Sequence, residues 1–114
     1  MEVDVVPEVD FRIDDRACFE LLYASWLSLT GYSIGSMTHR SVVELFHEDD
    51  RETVEAALVE LLCGHDAHEF SARMIVQGGA TRRVELRARV IRDSSGHVLG
   101  AAGTLRDAGE LQPP

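Results

Sequence analysis

Residues 47–64, His-Glu-Asp-Asp-Arg-Glu-Thr-Val-Glu-Ala-Ala-Leu-Val-Glu-Leu-Leu-Cys-Gly, constrain the fold more than any other stretch, because they read as one helix marked at both ends. Asp49 is placed to accept from the free amide of Glu52. Glu52 can reach back to the amide of Asp49, a capping box with Asp in place of Ser or Thr. Asp50 and Glu52 put negative charge beside the positive end of the helix dipole. Val54, Leu58, Leu61 and Leu62 form a single apolar stripe at helical spacing, with Glu55 and Glu60 off it. Gly64 supplies the left-handed residue that stops the helix. A helix with one apolar side must cover something, and the rest of the chain supplies strands.

Val9, Phe11 and Ile13 alternate with Asp10, Arg12 and Asp14, the period of a half-buried strand. After the polar turn Asp14-Asp15-Arg16, Phe19, Leu21 and Tyr23 alternate with Cys18 and Glu20. A hairpin opposing Phe11 to Phe19 or Leu21 keeps both apolar sets on one side. Ser25–Thr30 reads as a short helical turn ending at Gly31-Tyr32, residues 33–41 as loop, and Val42, Val43, Leu45 and Phe46 as another short helical piece.

In the last third, Phe70, Ala72, Met74 and Val76 face Val84, Leu86, Ala88 and Val90 around a Gly78-Gly79-Ala80 turn. With Gln77 opposite Thr81, Met74 faces Val84 and Phe70 faces Ala88. The same register sets Arg73 against Glu85 and Glu69 against Arg89. Beyond the Asp93–Gly96 turn, Val98–Leu105 is a fifth strand. With Arg92 opposite His97, residues Leu99, Ala101, Gly103 and Leu105 join the buried face. Ile91, Val98, Gly100 and Ala102 are then left as an apolar patch on the other face, which makes them interface candidates. The order predicts an α+β fold: a single five-stranded antiparallel sheet with short helices and one longer helix packed on one face. Residues 1–7 read as a lead-in segment, 8–107 as one domain and 108–114 as a tail.

The charge of −9 is uneven. Residues 1–69 carry 16 acids and 4 arginines, a net of −12, and residues 70–114 carry 4 acids and 7 arginines, a net of +3. An acidic surface of this kind argues against nucleic acid as a partner. Cys18 and Cys63 imply no disulfide framework. The sequence has no apolar run of membrane-spanning length, and Glu2 and Asp4 interrupt any secretion signal. The expectation is a cytoplasmic chain with no membrane partner.

Three strings occur in series: Trp26-Leu27-Ser28-Leu29-Thr30-Gly31-Tyr32-Ser33, His47-Glu48-Asp49-Asp50-Arg51, and Gly100-Ala101-Ala102-Gly103-Thr104-Leu105-Arg106-Asp107. Together with the strand and helix order, they resemble the PAS domain, the bacterial sensor module, across about residues 8–107. Departures are Glu48 where the family has Pro, Tyr23-Ala24-Ser25 in place of an Asn before the first small helix, and Asp107-Ala108-Gly109 at the close with no coupling helix after it.

The resemblance implies a sensory or regulatory module of a signal-transduction protein rather than an enzyme. It would sense a small ligand, or relay a signal by forming a homodimer or docking a neighbouring signalling domain. The alternative is a ligand-free association module. The resemblance also implies a ligand pocket between the sheet and the small helices, with candidates Trp26, Leu29, Tyr32, Phe46, Leu58, Phe70, Met74, Leu86 and Ala101. The same residues serve equally as plain core.

Covalent flavin chemistry in this family needs a Cys at the start of the long helix, where this chain has Glu48-Asp49-Asp50-Arg51. Haem needs a His on that helix, and residues 50–63 contain none. No cofactor is therefore expected, and the resemblance leaves room for a small ligand of unknown identity. Cys63, His65 and His68 with Asp66 have ligand chemistry but no established metal spacing, so they read as solvated loop residues. His47 reads as a surface residue beside a helix start. A cone-shaped isomerase would need a buried acid as base, and the inward-facing strand positions hold none.

Overall fold

The computed structural model describes residues 8–23 and 25–112. Five strands, β1 (Glu8–Asp14), β2 (Phe19–Leu22), β3 (Ala67–Ile75), β4 (Thr81–Arg92) and β5 (Val98–Gln112), form one antiparallel sheet in the order β2-β1-β5-β4-β3. Between β2 and β3 lie α1 (Ser25–Thr30), α2 (Ile34–Met37), 3-10 turns over Val43–Leu45 and Glu48–Asp50, and α3 (Arg51–Leu62). This is the expected α+β architecture. The lead-in segment 1–7 lies outside the described residues.

The inner face of the sheet and the helices share one core. Val9, Phe11 and Ile13 of β1, Ala72 and Met74 of β3, Val84, Leu86 and Ala88 of β4, and Ala101 and Leu105 of β5 meet Val54, Leu58 and Leu61 of α3. Burial of each large aliphatic side chain contributes about 1.5–3 kcal/mol, so the α3 stripe alone fixes the helix on the sheet. Ala57 joins that stripe and Leu62 is half-buried at its edge, so the stripe is rotated slightly from the expected one. Gly64 does take the left-handed conformation (φ +115).

Several local expectations are corrected. Asp49 does not cap α3. A 3-10 turn precedes the helix, and it is His47 Nδ1 that accepts from the Asp49 amide (3.1 Å). Asp50 occupies the N-cap position without a side-chain cap, because its carboxylate is engaged by Arg73. Residues 33–41 are not all loop: Ser33 accepts from Ser36 (3.3 Å) and starts α2.

Three registers differ as well. In β2 a bulge at Glu20 leaves Phe19 opposite Ile13 and Leu22 opposite Phe11, so Leu21 and Tyr23 turn outward rather than inward. The β3–β4 hairpin is displaced by two residues, with Ile75 opposite Thr81 and Ala72 opposite Val84. Its turn is Gln77-Gly78-Gly79, closed by the Val76 amide donating to the Ala80 carbonyl (2.8 Å), with both glycines at positive φ. A two-residue shift leaves every side chain on its own face, so apolar matching could not distinguish the two pairings. It does change the charge pairs: Glu69 meets Arg87 (3.3 Å) rather than Arg89, and Arg73 opposes Arg83 rather than Glu85. Finally, Arg92 pairs with Val98 and a shift follows before Ile91 and Gly100, which leaves Leu99 exposed rather than buried. The strand beyond also runs on to Gln112, opposite Thr81, so residues 108–112 belong to the sheet and not to a tail.

β5 lies between β1 and β4 and contacts both closely at its glycines. A Cβ on Gly103 would overlap the carbonyl oxygen of Arg87, and one on Gly100 that of Ile13.

Candidate functional site

The nine pocket candidates converge. Trp26, Leu29, Phe46, Leu58, Met74, Leu86 and Ala101 are all buried in one cluster, with Tyr32 and Phe70 half-buried against it. Alternation on β3, β4 and β5 and the α3 stripe bring them to one place. The Phe46 ring lies 6.3 Å from Phe70, and Phe46 bridges to Met74 on β3. The Trp26 ring lies 5.3 Å from that of Phe19, tilted at 59° to it. The Trp26 Nε1–H is buried with no acceptor among the described residues, and a polar group in apolar surroundings costs about 1–3 kcal/mol when left unpaired.

Asp50 fastens the entrance of α3 to β3. Its Oδ2 accepts from the Arg73 amide (2.8 Å) and Nε (3.1 Å), and its Oδ1 from Nη2 (2.9 Å). The Arg73 side-chain hydrogen bonds, with help from its amide and its charge, hold the Asp50 carboxyl down to about 2 against the opposing effect of burial. The His47 amide donates to the Arg73 carbonyl (2.8 Å), so residues 46–50 are laced to β3 from both sides.

The opposite, outer face has another chemistry. Asp10 on β1 lies in a row with Thr104 and Arg87, and Arg12 in the next row with Ala102 and Arg89. Two adjoining concavities of about 450 and 480 Å³ share Ala102, Gly103 and Thr104 as a floor. Arg87, Arg89 and Glu69 rim one of them, and Asp10, Arg12, Leu21, Tyr23 and Ile91 rim the other. Of the four interface candidates, Ile91 and Ala102 line this surface, Val98 is half-buried, and Gly100 is buried against the backbone of β1. Leu21 and Tyr23 are 51% and 54% exposed there. Simple alternation along β2 assigned them to the core, and only the bulge at Glu20 reveals them. Arg12 pairs with Glu20 (3.0 Å) and Arg87 with Glu69. The side chains of Asp10 and Arg89 have no ionic or hydrogen-bond partner among the described residues.

A groove of about 380 Å³ runs between the β1–β2 turn and α3, lined by Ala17, Val43, Leu58, Val59 and Leu62 with Cys63 at its end. The residues with metal-ligand chemistry are dispersed. His65 Nδ1 contacts the Glu60 carbonyl (2.9 Å), His68 pairs with the Glu60 carboxylate (3.1 Å), and Asp66 reaches Arg92 (3.5 Å). Among the described residues no group of three His, Cys, Asp or Glu is placed to hold a metal ion. Burial pushes the Cys18 thiol up, and Asp14 acts in the same direction, which suppresses its nucleophilic form. No helix among the described residues is long and apolar enough to cross a membrane.

A family model described as the PAS fold matches residues 21–105. The structure resembles the PAS domain of a protein from Colwellia psychrerythraea, at 19% identity and TM-score 0.80, covering 89% of this chain and 86% of that one. It also resembles the N-terminal domain of a diguanylate cyclase with PAS/PAC sensor from Marinobacter aquaeolei, at 26% identity and TM-score 0.77, covering 88% and 94%. A domain of the putative light and redox sensing histidine kinase from Haloarcula marismortui matches at 16% identity and TM-score 0.75, covering 93% of each chain. No curated protein matches the sequence.

Proposed function

This chain belongs to the PAS fold family, and from that premise we propose that it is a regulatory module of a signal-transduction protein, working by association through the outer face of its sheet. The observation that carries this reading is the contrast between a filled inner face and an open outer one. The inner face is closed over large side chains, whereas the outer face is concave, floored by Ala102, Gly103 and Thr104, and edged by exposed Leu21 and Tyr23. Aromatic and aliphatic groups beside a shallow, polar-rimmed surface are what a docking partner buries. Two similar structures come from a diguanylate cyclase with PAS/PAC sensor and from a putative histidine kinase, which supports a place beside an effector. The test is Ala102→Arg in the native gene product. Loss of effector control with the domain still folded supports the reading, and unchanged control overturns it.

A second reading has its own observation. The buried Trp26 Nε1–H has no acceptor among the described residues, and a small ligand with a carbonyl or carboxylate would supply one. Native mass spectrometry of purified protein, compared with Trp26→Phe, tests it. A discrete added mass lost in the variant supports a ligand there. With nothing bound, Trp26→Phe is expected to change stability by no more than about 1 kcal/mol, because removal of a buried unpaired donor offsets the volume lost from the core.

A further inference from the structure

We propose that the groove between α3 and the β1–β2 turn is a second docking surface, and that its occupant is a basic amphipathic helix of a partner protein. This goes beyond the outer-face reading and does not depend on it. α3 carries more apolar surface than the sheet covers. Val54, Ala57, Leu58 and Leu61 close on the core, whereas Val59 is exposed and Leu62 half-buried, round the helix from them. Glu52, Glu55, Val59 and Leu62 follow at spacings of three, four and three, so they share one face of the helix. That face is acidic in its first half and apolar in its second.

The groove of about 380 Å³ lies along the apolar half, with Ala17 and Val43 lining it from the other side. Both walls are fixed before anything binds. Leu58 and Leu61 hold α3 on the sheet. In the turn, Asp14 Oδ1 accepts from the amides of Arg16 (2.8 Å) and Cys18 (3.0 Å), and the Ala17 carbonyl accepts from the Val42 amide (2.9 Å). A preformed apolar groove needs little ordering on binding, which suits a helix that lays its own apolar face into it. The rim selects the charge of that helix. Asp15 lies on the turn wall and Glu55 on the α3 wall, and neither carboxylate has an ionic or hydrogen-bond partner among the described residues. Among the described lining residues Arg16 alone is basic. Around the groove, residues 25–66 carry eight acids and two arginines, a net of −6. Such a field attracts arginine and lysine and repels an acidic partner.

The probe is a fluorescently labelled peptide with Leu at i, i+3, i+4 and i+7 and Arg at the other positions, titrated with the chain at low salt. The same peptide with Glu for Arg is its control. The Arg peptide is expected to bind and the Glu peptide to fail. Val59→Asp is expected to weaken binding at least about tenfold although it adds an acid, because it puts a charge on the apolar wall. Asp15→Arg should weaken binding about threefold or more, and Arg16→Glu should strengthen it by a similar factor. Asp10→Arg, on the outer face, changes the net charge as much as Asp15→Arg does and should leave affinity within about twofold. These positions are exposed, and thermal melts should confirm that the variants fold. An Arg peptide that does not bind overturns the inference. So does binding that Val59→Asp leaves unchanged or strengthens, which marks attraction to net charge alone. Self-association of the wild type that Val59→Asp abolishes overturns the choice of occupant in favour of a second copy. Ala102→Arg should not alter peptide binding, so failure at this groove leaves the outer-face reading standing, and failure of that reading leaves the groove.

Discussion

On the inner face of the sheet, β1, β5, β4 and β3 present Val9, Phe11, Leu105, Leu86, Val84 and Met74, all closed under α3 and the short helices. On the outer face the same strands present Asp10, Thr104, Ala102, Arg87 and Arg89, with exposed Leu21 and Tyr23 at the edge. Each strand contributes to both faces by alternation, so the two cannot be tuned separately at the backbone, but they can at the side chains. The contrast teaches where stability and recognition are stored. Large side chains behind the sheet hold the domain together, and small and charged ones in front leave room for a partner.

The change expected to break the contrast most severely is Gly103→Ala, because its Cβ would overlap the Arg87 carbonyl oxygen and force β5 away from β4, disturbing both faces at once. A loss of about 3 kcal/mol or more is expected in urea denaturation. Gly35→Ala, which has nothing within 4 Å, serves as its control and should be neutral or mildly stabilising.

Next in size, Leu58→Ala should cost about 2–5 kcal/mol by opening a cavity under α3, while Val59→Ala on the same helix should stay within about 0.5 kcal/mol. Leu58 is 2% exposed and Val59 is 53% exposed. Similar losses at both positions would contradict the packing of α3.

Asp50→Asn tests the fastening of the helix entrance, with an expected loss of about 1–2 kcal/mol after allowance for partial exposure. Its pH signature has a definite sign. The Asp50 carboxyl is lowered from 3.8 to about 2, so its contribution is fully present above about pH 4 and fades as the pH falls toward 2. The variant should therefore differ most from wild type above pH 4 and converge with it in acid, as followed by thermal melts.

The smallest effect on stability belongs to the outer face. Leu21→Ser should change unfolding free energy by less than about 0.5 kcal/mol, yet weaken effector control in the native gene product. A large loss of stability there would mean that Leu21 belongs to the core after all.

Much of the fold was legible in the residues. Alternation in 9–13, 70–76 and 84–90, the one-sided helix before Gly64 and the two-glycine turn gave the order of elements and the composition of the core. Trp26, Leu29, Phe46, Leu58, Met74, Leu86 and Ala101 share that core, because the period of each element determines which face a residue takes. Other features escaped. The bulge at Glu20 reversed Leu21 and Tyr23, and a bulge leaves no mark in composition. The β3–β4 register moved by two, a shift that side-chain alternation cannot detect. The charge pairs moved with it.

The capping of α3 marks the division between the two levels. Local sequence placed a helix start at the acidic run 48–50 and supplied several groups able to serve there, because caps and dipoles act within one turn. Which carboxylate did what was decided by Arg73, twenty-three residues beyond Asp50, whose fork and amide claim that carboxylate and leave His47 to cap the preceding turn. Near-neighbour periodicity fixed what the long helix and most strands are and which side they hide. Only the assembled sheet decided register, bulges and ion pairs, because those depend on groups that meet in space after the chain has closed on itself.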